Sequence, residues 1–196
     1  MTELFKLFMK GSCAILLFLL CLPIVAQDWQ TTNIDTFLEV NANRIRIVPS
    51  GNMPALAIRQ LGAPGFSREY FVQGDIFYEN PETAVVLFAF GYGDSLWAAG
   101  YSLVEQHIFF SEIARSDSAQ FQLRNIAAKP VEIRDSRPLY VYRIIFLHQT
   151  NELQIEANGV PMRVPAPFPT QRIDRFGYLV YGSAVEVQPL KIEGKN

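Results

Sequence analysis

What most limits the folds open to this chain is an alternation of period two that returns along its length. Tyr70, Val72, Gly74, Ile76 and Tyr78 alternate with Phe71, Gln73, Asp75, Phe77 and Glu79. Leu153, Ile155 and Ala157 alternate with Glu152, Gln154 and Glu156. Successive side chains of a strand point to opposite faces, so this spacing predicts strands with one face in a core. The run Ala84–Phe90, "AVVLFAF", is apolar on both faces, as a strand in the middle of a sandwich should be. Further strands are expected at 37–40, 44–48, 55–60, 120–126, 176–181 and 185–192. Turn signals punctuate them at Asn41–Asn43, Ser50–Asn52, Glu79–Glu82 and Gly91–Asp94. Many short strands with such punctuation predict an all-β sandwich or barrel.

Two proline patterns refine this expectation. Asn158-Gly159 suits a type I′ turn, which folds Leu153–Ala157 back onto Val160–Val164. Prolines 161, 165, 167 and 169 then belong to an edge strand or an extended connection, because proline cannot donate to a ladder. Pro189, inside the last strand run, predicts an edge position or a bulge. The stretch Ser95–Phe109 fits either an amphipathic helix or a strand. Gly100 and the β-branched and aromatic residues after it favour strand from about Gly100 onward.

The N-terminus reads differently. Lys6 and Lys10 precede an unbroken apolar run, Ala14 to Leu22, followed by Pro23 and by Ala26 before a polar stretch. This pattern predicts a secretory signal peptide over 1–26, with a single domain over 27–196. The apolar core is shorter than the ~20 residues that span a bilayer, which argues against an uncleaved anchor and against stable membrane insertion. A lipoprotein fits less well, since Cys21 follows Leu19 and Leu20 rather than small residues. Both cysteines, Cys13 and Cys21, lie in the leader, so the exported chain would have no disulfide and no thiol chemistry. Without Lys6, Lys10 and Glu3, 15 of 17 basic and 18 of 19 acidic residues remain, a net charge of −3. With no cluster of Lys and Arg, nucleic acid is not an expected partner.

The C-terminal third carries more than periodicity. The segment "PLYVYRIIFLHQTNELQIEANGVPMRVPAP" continues into "RIDRFGYLVYGSAVEVQPLKIEG". An aromatic-led strand, a strand ending in Asn-Gly, a proline-containing connection and a Gly-aromatic strand (Gly177-Tyr178) follow in order. Val187, Leu190 and Ile192 then close the pattern. This order resembles the end of a concanavalin A-like lectin/glucanase domain, of the laminin G-like jelly-roll kind. The early "FLEVNANRIRIV" is compatible with the opening hairpin of such domains. The resemblance implies a jelly roll of two curved antiparallel sheets, and many members bind or cut polysaccharides outside the cell. It supplies no catalytic set. Glucanases of this fold carry a Glu-x-Asp-x-x-Glu strand that puts two carboxylates on one face, and that spacing is absent. "FSREYF" and "EQHIF" echo the strands of alginate-lyase-like relatives only loosely, with the wrong Gln–His spacing.

Candidate ligand-binding residues fall into two groups. Trp97, with Tyr92 and Tyr101, makes an aromatic cluster beside the Gly-rich loop that holds Asp94. Flat rings stack on sugars and Asp94 would accept sugar hydroxyls, although such rings also serve as core packing. The second group is the face of Tyr140, Tyr142, Phe146 and His148. It would line a groove if Leu139, Val141, Ile145 and Leu147 fill the core. Arg143 falls on that aliphatic side and contradicts a clean split. His107 and His148 stand in separate strands without a motif, so catalysis is not expected of them. Glu105 with His107, and Asp75 with Glu79, share strand faces, as solvated faces also do. A calcium site at Asp94 has no dense oxygen-ligand motif behind it, and no cofactor is expected. Serine-hydrolase and phosphate-loop signatures are absent.

The expectation is therefore an exported, non-catalytic carbohydrate-binding domain with a polysaccharide or other glycan as partner. Its ligand contacts would come from Trp97, Tyr101, Tyr92, Asp94, Tyr140, Tyr142, Arg143 and His148. The alternatives are a diverged glycoside hydrolase or polysaccharide lyase, which needs converging carboxylates, and an exported structural or adhesion protein.

Overall fold

The computed structural model describes residues 29–31, 37–41, 44–50, 54–60, 70–78, 83–115, 121–132, 139–189 and 191–194. The leader expected over 1–26, with both cysteines, lies outside the described residues. In chain order the strands begin with β1 (Trp29–Thr31), β2 (Phe37–Val40), β3 (Ile45–Val48), β4 (Ala55–Gln60) and β5 (Tyr70–Tyr78). They continue with β6 (Val85–Tyr92), β7 (Ser95–Ser102), β8 (His107–Arg115), β9 (Phe121–Pro130) and β10 (Leu139–Leu147). The last are β11 (Glu152–Ala157), β12 (Val160–Pro165), β13 (Arg175–Tyr181), β14 (Val185–Val187) and β15 (Lys191–Gly194). A 3-10 turn, Thr170–Arg172, precedes β13.

The strands form two antiparallel sheets. One runs β1-β4-β13-β6-β7-β8-β9, the other β12-β11-β10-β5-β14-β3-β2, with β15 also paired to β5. The proline expectations hold. Asn158 and Gly159 adopt φ of 46° and 83° and close the β11–β12 hairpin. Pro161 and Pro165 lie on β12, the edge of its sheet, and Pro167 and Pro169 follow in the connection. Val187 pairs with Ile76 and Lys191 with Gln73, so this strand holds one more residue between the two contacts than β5 does. Pro189 sits in that bulge, where no ladder donor is required of it.

The main core lies between the sheets. Phe90 of β6 stands near its centre, with ring centroids 5.5 Å from Phe146, 5.8 Å from Phe168 and 6.3 Å from Phe110. Tyrosine hydroxyls tie the core's polar ends to backbone: Tyr142 donates to the Tyr101 carbonyl at 2.9 Å and Tyr101 to the Val131 carbonyl at 3.0 Å. Tyr178, reaching across from β13, donates to the Gln188 carbonyl at 2.7 Å. Burying such rings fully contributes about 1.5–3 kcal/mol each.

Two expectations are corrected here. The segment read as helix or strand is two strands, β7 and β8, separated by a tight turn at 103–106. Strand begins at Ser95, ahead of Gly100, because Leu96, Trp97 and Ala98 all pack on one side or the other. In β10 the faces are the reverse of those expected. Tyr142, Ile144 and Phe146 point into the core, while Arg143 and Ile145 are only half-buried on the opposite side. The Arg143 guanidinium decides this: burying an unneutralised charge costs far more than covering aromatic rings gains.

A second apolar layer coats the outward face of the seven-stranded sheet. Val86, Phe88 and Phe90 of β6 join the inter-sheet core, whereas Leu87 and Ala89 join Leu56, Ile58, Leu96, Ala98, Ile113 and Leu179 outside it. The two-faced run Ala84–Phe90 therefore serves two clusters.

Candidate functional site

The structure scatters the eight residues expected to touch a ligand. Trp97 is 6% exposed, its ring 4.1 Å from that of Phe168. Tyr101 and Tyr142 are each 1% exposed and joined by the hydrogen bond above. These three rings belong to the core and present no face for stacking, which corrects the expectation of an open aromatic surface there. Tyr92 and Asp94 lie at the β6–β7 hairpin end. There Arg172 donates to the Tyr92 hydroxyl at 2.9 Å and stands over its ring, while Asp94 is exposed. Arg143 is on the outward face of the other sheet, donating to Gln73 Oε1 at 2.8 Å and lying 3.9 Å from Glu156. His148 is half-buried, its Nδ1 2.9 Å from Thr170 Oγ1. The side chain of Tyr140 lies outside the described residues.

A concave feature lies elsewhere, across the outward face of β13, β6, β7, β8 and β9. It is a groove of about 410 Å³. Register explains its floor. Leu87 pairs with Gly100 and Gly100 with Phe109, so these three form one cross-strand row on the same face. A Cβ at Gly100 would stand 3.1 Å from Leu87 Cδ2, so glycine keeps the floor low between Leu87 and the Phe109 ring. Val85 and Tyr181 form one wall, since Tyr181 pairs with Val85. On the other side, Ser111 pairs with Asn125 and Ile113 with Leu123.

A bulge makes that side possible. Phe110 pairs with Ala127 but Ser111 with Asn125, so Ile126 is an extra, unopposed residue in β9. Without it the alternation from Ala127 would turn Asn125 inward. The extra residue switches Asn125 and Leu123 onto the groove side, and bulges recur beside sites for this reason.

The polar end is built by the β7–β8 turn. The Glu105 amide donates to Ser102 Oγ at 3.2 Å, Gln106 takes φ of 53°, and the Val131 amide donates to the Gln106 carbonyl. Glu105 and Ser102 both line the groove. His107, stacked on Phe109 at 5.6 Å, makes a short hydrogen bond from Nδ1 to the Glu105 carbonyl. A carbonyl only accepts, so Nδ1 is the donor in this bond. Tyr181 is held as a phenol: burial against the groove wall pushes its pKa up to about 12.

Among the described residues the groove thus combines two half-buried rings, Phe109 and Tyr181, with the serine hydroxyls, the Asn125 amide and one carboxylate, Glu105. Ring faces offer stacking surface, and the polar groups offer both donors and acceptors. Among the described residues no three His, Cys, Asp or Glu side chains gather as a metal ion would require. Reading single strands could not find this site. Its one sequence signal is the run Ala84–Phe90, whose second apolar face must lie against something other than the partner sheet.

No protein-family profile and no curated protein sequence matches the chain. Solved structures do share its architecture. The carbohydrate-binding module CBM66 from Bacillus subtilis superposes with a TM-score of 0.60 at 13% identity, over 85% of this chain and 96% of that one. A Bacillus subtilis protein of unknown function with a galectin-like fold gives 0.58 at 10% identity, over 88% and 93%. The carbohydrate recognition domain of Emp46p, in its metal-free form, gives 0.53 at 12% identity, over 89% and 96%. In fold, then, the chain is a two-sheet antiparallel jelly-roll sandwich of the kind these structures share, the architecture that its C-terminal pattern implies.

Proposed function

We propose that this protein is an exported, non-catalytic glycan-recognition domain, and that the groove on the outward face of the seven-stranded sheet is its binding site. Export is supported by the basic start and short apolar run of residues 1–26. Glycan recognition is supported by a fold shared with a carbohydrate-binding module and with a carbohydrate recognition domain. The observation that carries the reading is the groove's composition, in which Phe109 and Tyr181 stand beside Ser102, Ser111, Asn125 and Glu105. Sugars offer an apolar C–H face and a rim of hydroxyls, and a mixed lining of rings and hydrogen-bonding groups suits both. Binding is favoured over hydrolysis because general acid–nucleophile chemistry needs two carboxylates, and among the described residues one lines the groove.

The test is a glycan array followed by calorimetry on the hits, with wild type, Phe109→Ala and Tyr181→Ala. A ring contact worth about 1 kcal/mol predicts roughly fivefold weaker binding in each variant, with the folded state retained. A folded wild-type protein that binds nothing on the array would overturn the reading, as would hits whose affinity neither substitution changes.

A further inference from the structure

We infer that the groove admits uncharged sugar units and turns away uronic-acid, sialylated and sulfated ones, with Glu105 setting the preference. The inference rests on the glycan-binding reading above and deepens it to a ligand class.

Its first support is the lining. Among the described residues Glu105 is the single charged side chain of the lining, and the floor beyond it is Leu87 and Phe109, with Val85 on the wall. An anionic sugar would shed water against that apolar floor and meet a carboxylate instead of a cation. Both effects weaken binding, because a buried charge needs an opposite partner and like charges are poorly screened beside a low-dielectric wall.

Its second support is where six of the described cations are. On β9, the strand flanking the groove, Arg124 points to the opposite side and pairs with Glu112 at 2.7 Å. Lys129 donates to the Pro161 carbonyl at 2.9 Å, on the partner sheet. Arg143 and Arg163 lie on the outward face of the eight-stranded sheet, each beside a glutamate. Arg172 is committed to Tyr92 and Arg175 to Asp174, at the far ends of the strands. Each of these cations is drawn away from the groove by a partner of its own.

Glu105 also has a favourable task. An ionised carboxylate accepts through two oxygens, which matches a pair of neighbouring sugar hydroxyls, both donors. The same group that holds a neutral diol repels a carboxylate or sulfate. The turn fixes the backbone that carries it, through the Glu105 amide bond to Ser102 Oγ and the Val131 amide bond to the Gln106 carbonyl.

The experiment uses matched probes: galactan against galacturonan oligosaccharides, and glucan against glucuronan oligosaccharides. Affinities are measured for the full-length protein and for Glu105→Gln, at low and high salt. Wild type should bind the neutral member of a pair about tenfold or more tightly than its acidic counterpart. In Glu105→Gln the gap should close to about twofold, through gain on the acidic member as well as loss on the neutral one. High salt should narrow the wild-type gap for the same reason. Equal wild-type affinity within pairs, or a gap unchanged in Glu105→Gln, overturns the inference while leaving glycan binding intact. Silence for every probe overturns the functional reading, and the inference with it.

Discussion

Tyr181 illustrates how one side chain reports on its surroundings. Burial against the groove wall pushes its phenol pKa up to about 12, where an ordinary tyrosine stands near 10. Tyr178, enclosed in the core and facing Asp75, is raised well above the ordinary value, first by burial and then by that carboxylate. The folded state therefore keeps its protons where the unfolded chain sheds them. This contribution to stability is fully present below about pH 10 and is lost as pH rises toward 12. Denaturant unfolding followed from pH 8 upward should show stability falling beyond about pH 10, less steeply in Tyr181→Phe, which lacks that titrating group. An identical slope in the two proteins would place the Tyr181 ring in water. At this scale the sequence misleads for a definite reason: a strand aromatic has the same period whether it enters a core or lines a groove. Trp97, Tyr101 and Tyr142 are core, and Phe109 and Tyr181 are groove, although all five lie in alternating strands. Arg143 was the residue that distinguished the faces of its strand, because charge is far less tolerant of burial than ring size is.

Among the elements, strands and turns were legible wherever local chemistry determines them. Asn158-Gly159 fixes its hairpin, and Pro161, Pro165 and Pro189 fall at an edge and a bulge as their missing donors require. The groove was not legible, since it depends on register between five strands and on the single extra residue Ile126 in β9. Gly100 tests that construction. Its added Cβ would press on Leu87, and the branches of valine would rise between Leu87 and Phe109. Gly100→Val should therefore reduce glycan affinity by about tenfold or more, at a cost of about 1–3 kcal/mol from crowding. Calorimetry on variant samples that still melt cooperatively gives the readout. Wild-type affinity in Gly100→Val would move the site off this floor.

Across the whole molecule, rings packed between the two sheets hold the sandwich, while Phe109 and Tyr181 turn outward on one sheet, where the proposed site lies. The tyrosine hydroxyl bonds reinforce that hold, since Tyr142 of β10 reaches the Tyr101 carbonyl of β7 and so joins one sheet to the other. Removing that hydroxyl while keeping the ring isolates the tie from the packing. Tyr142→Phe should cost about 1 kcal/mol, the net worth of one buried hydrogen bond. In a chain of this length that is a melting temperature lower by roughly 2–4 °C. Glycan affinity should stay within about twofold of wild type, because Tyr142 is buried at 1% exposure on the side of the sandwich core, away from the groove residues. Phe109→Ala should show the converse: weakened binding, with a smaller stability loss for a half-buried ring than full burial would imply. The pair of variants separates fold from recognition in two measurements, thermal melting and calorimetric titration. Loss of binding in Tyr142→Phe with no change in Phe109→Ala would reverse the assignment of the two faces, and with it the placement of the site.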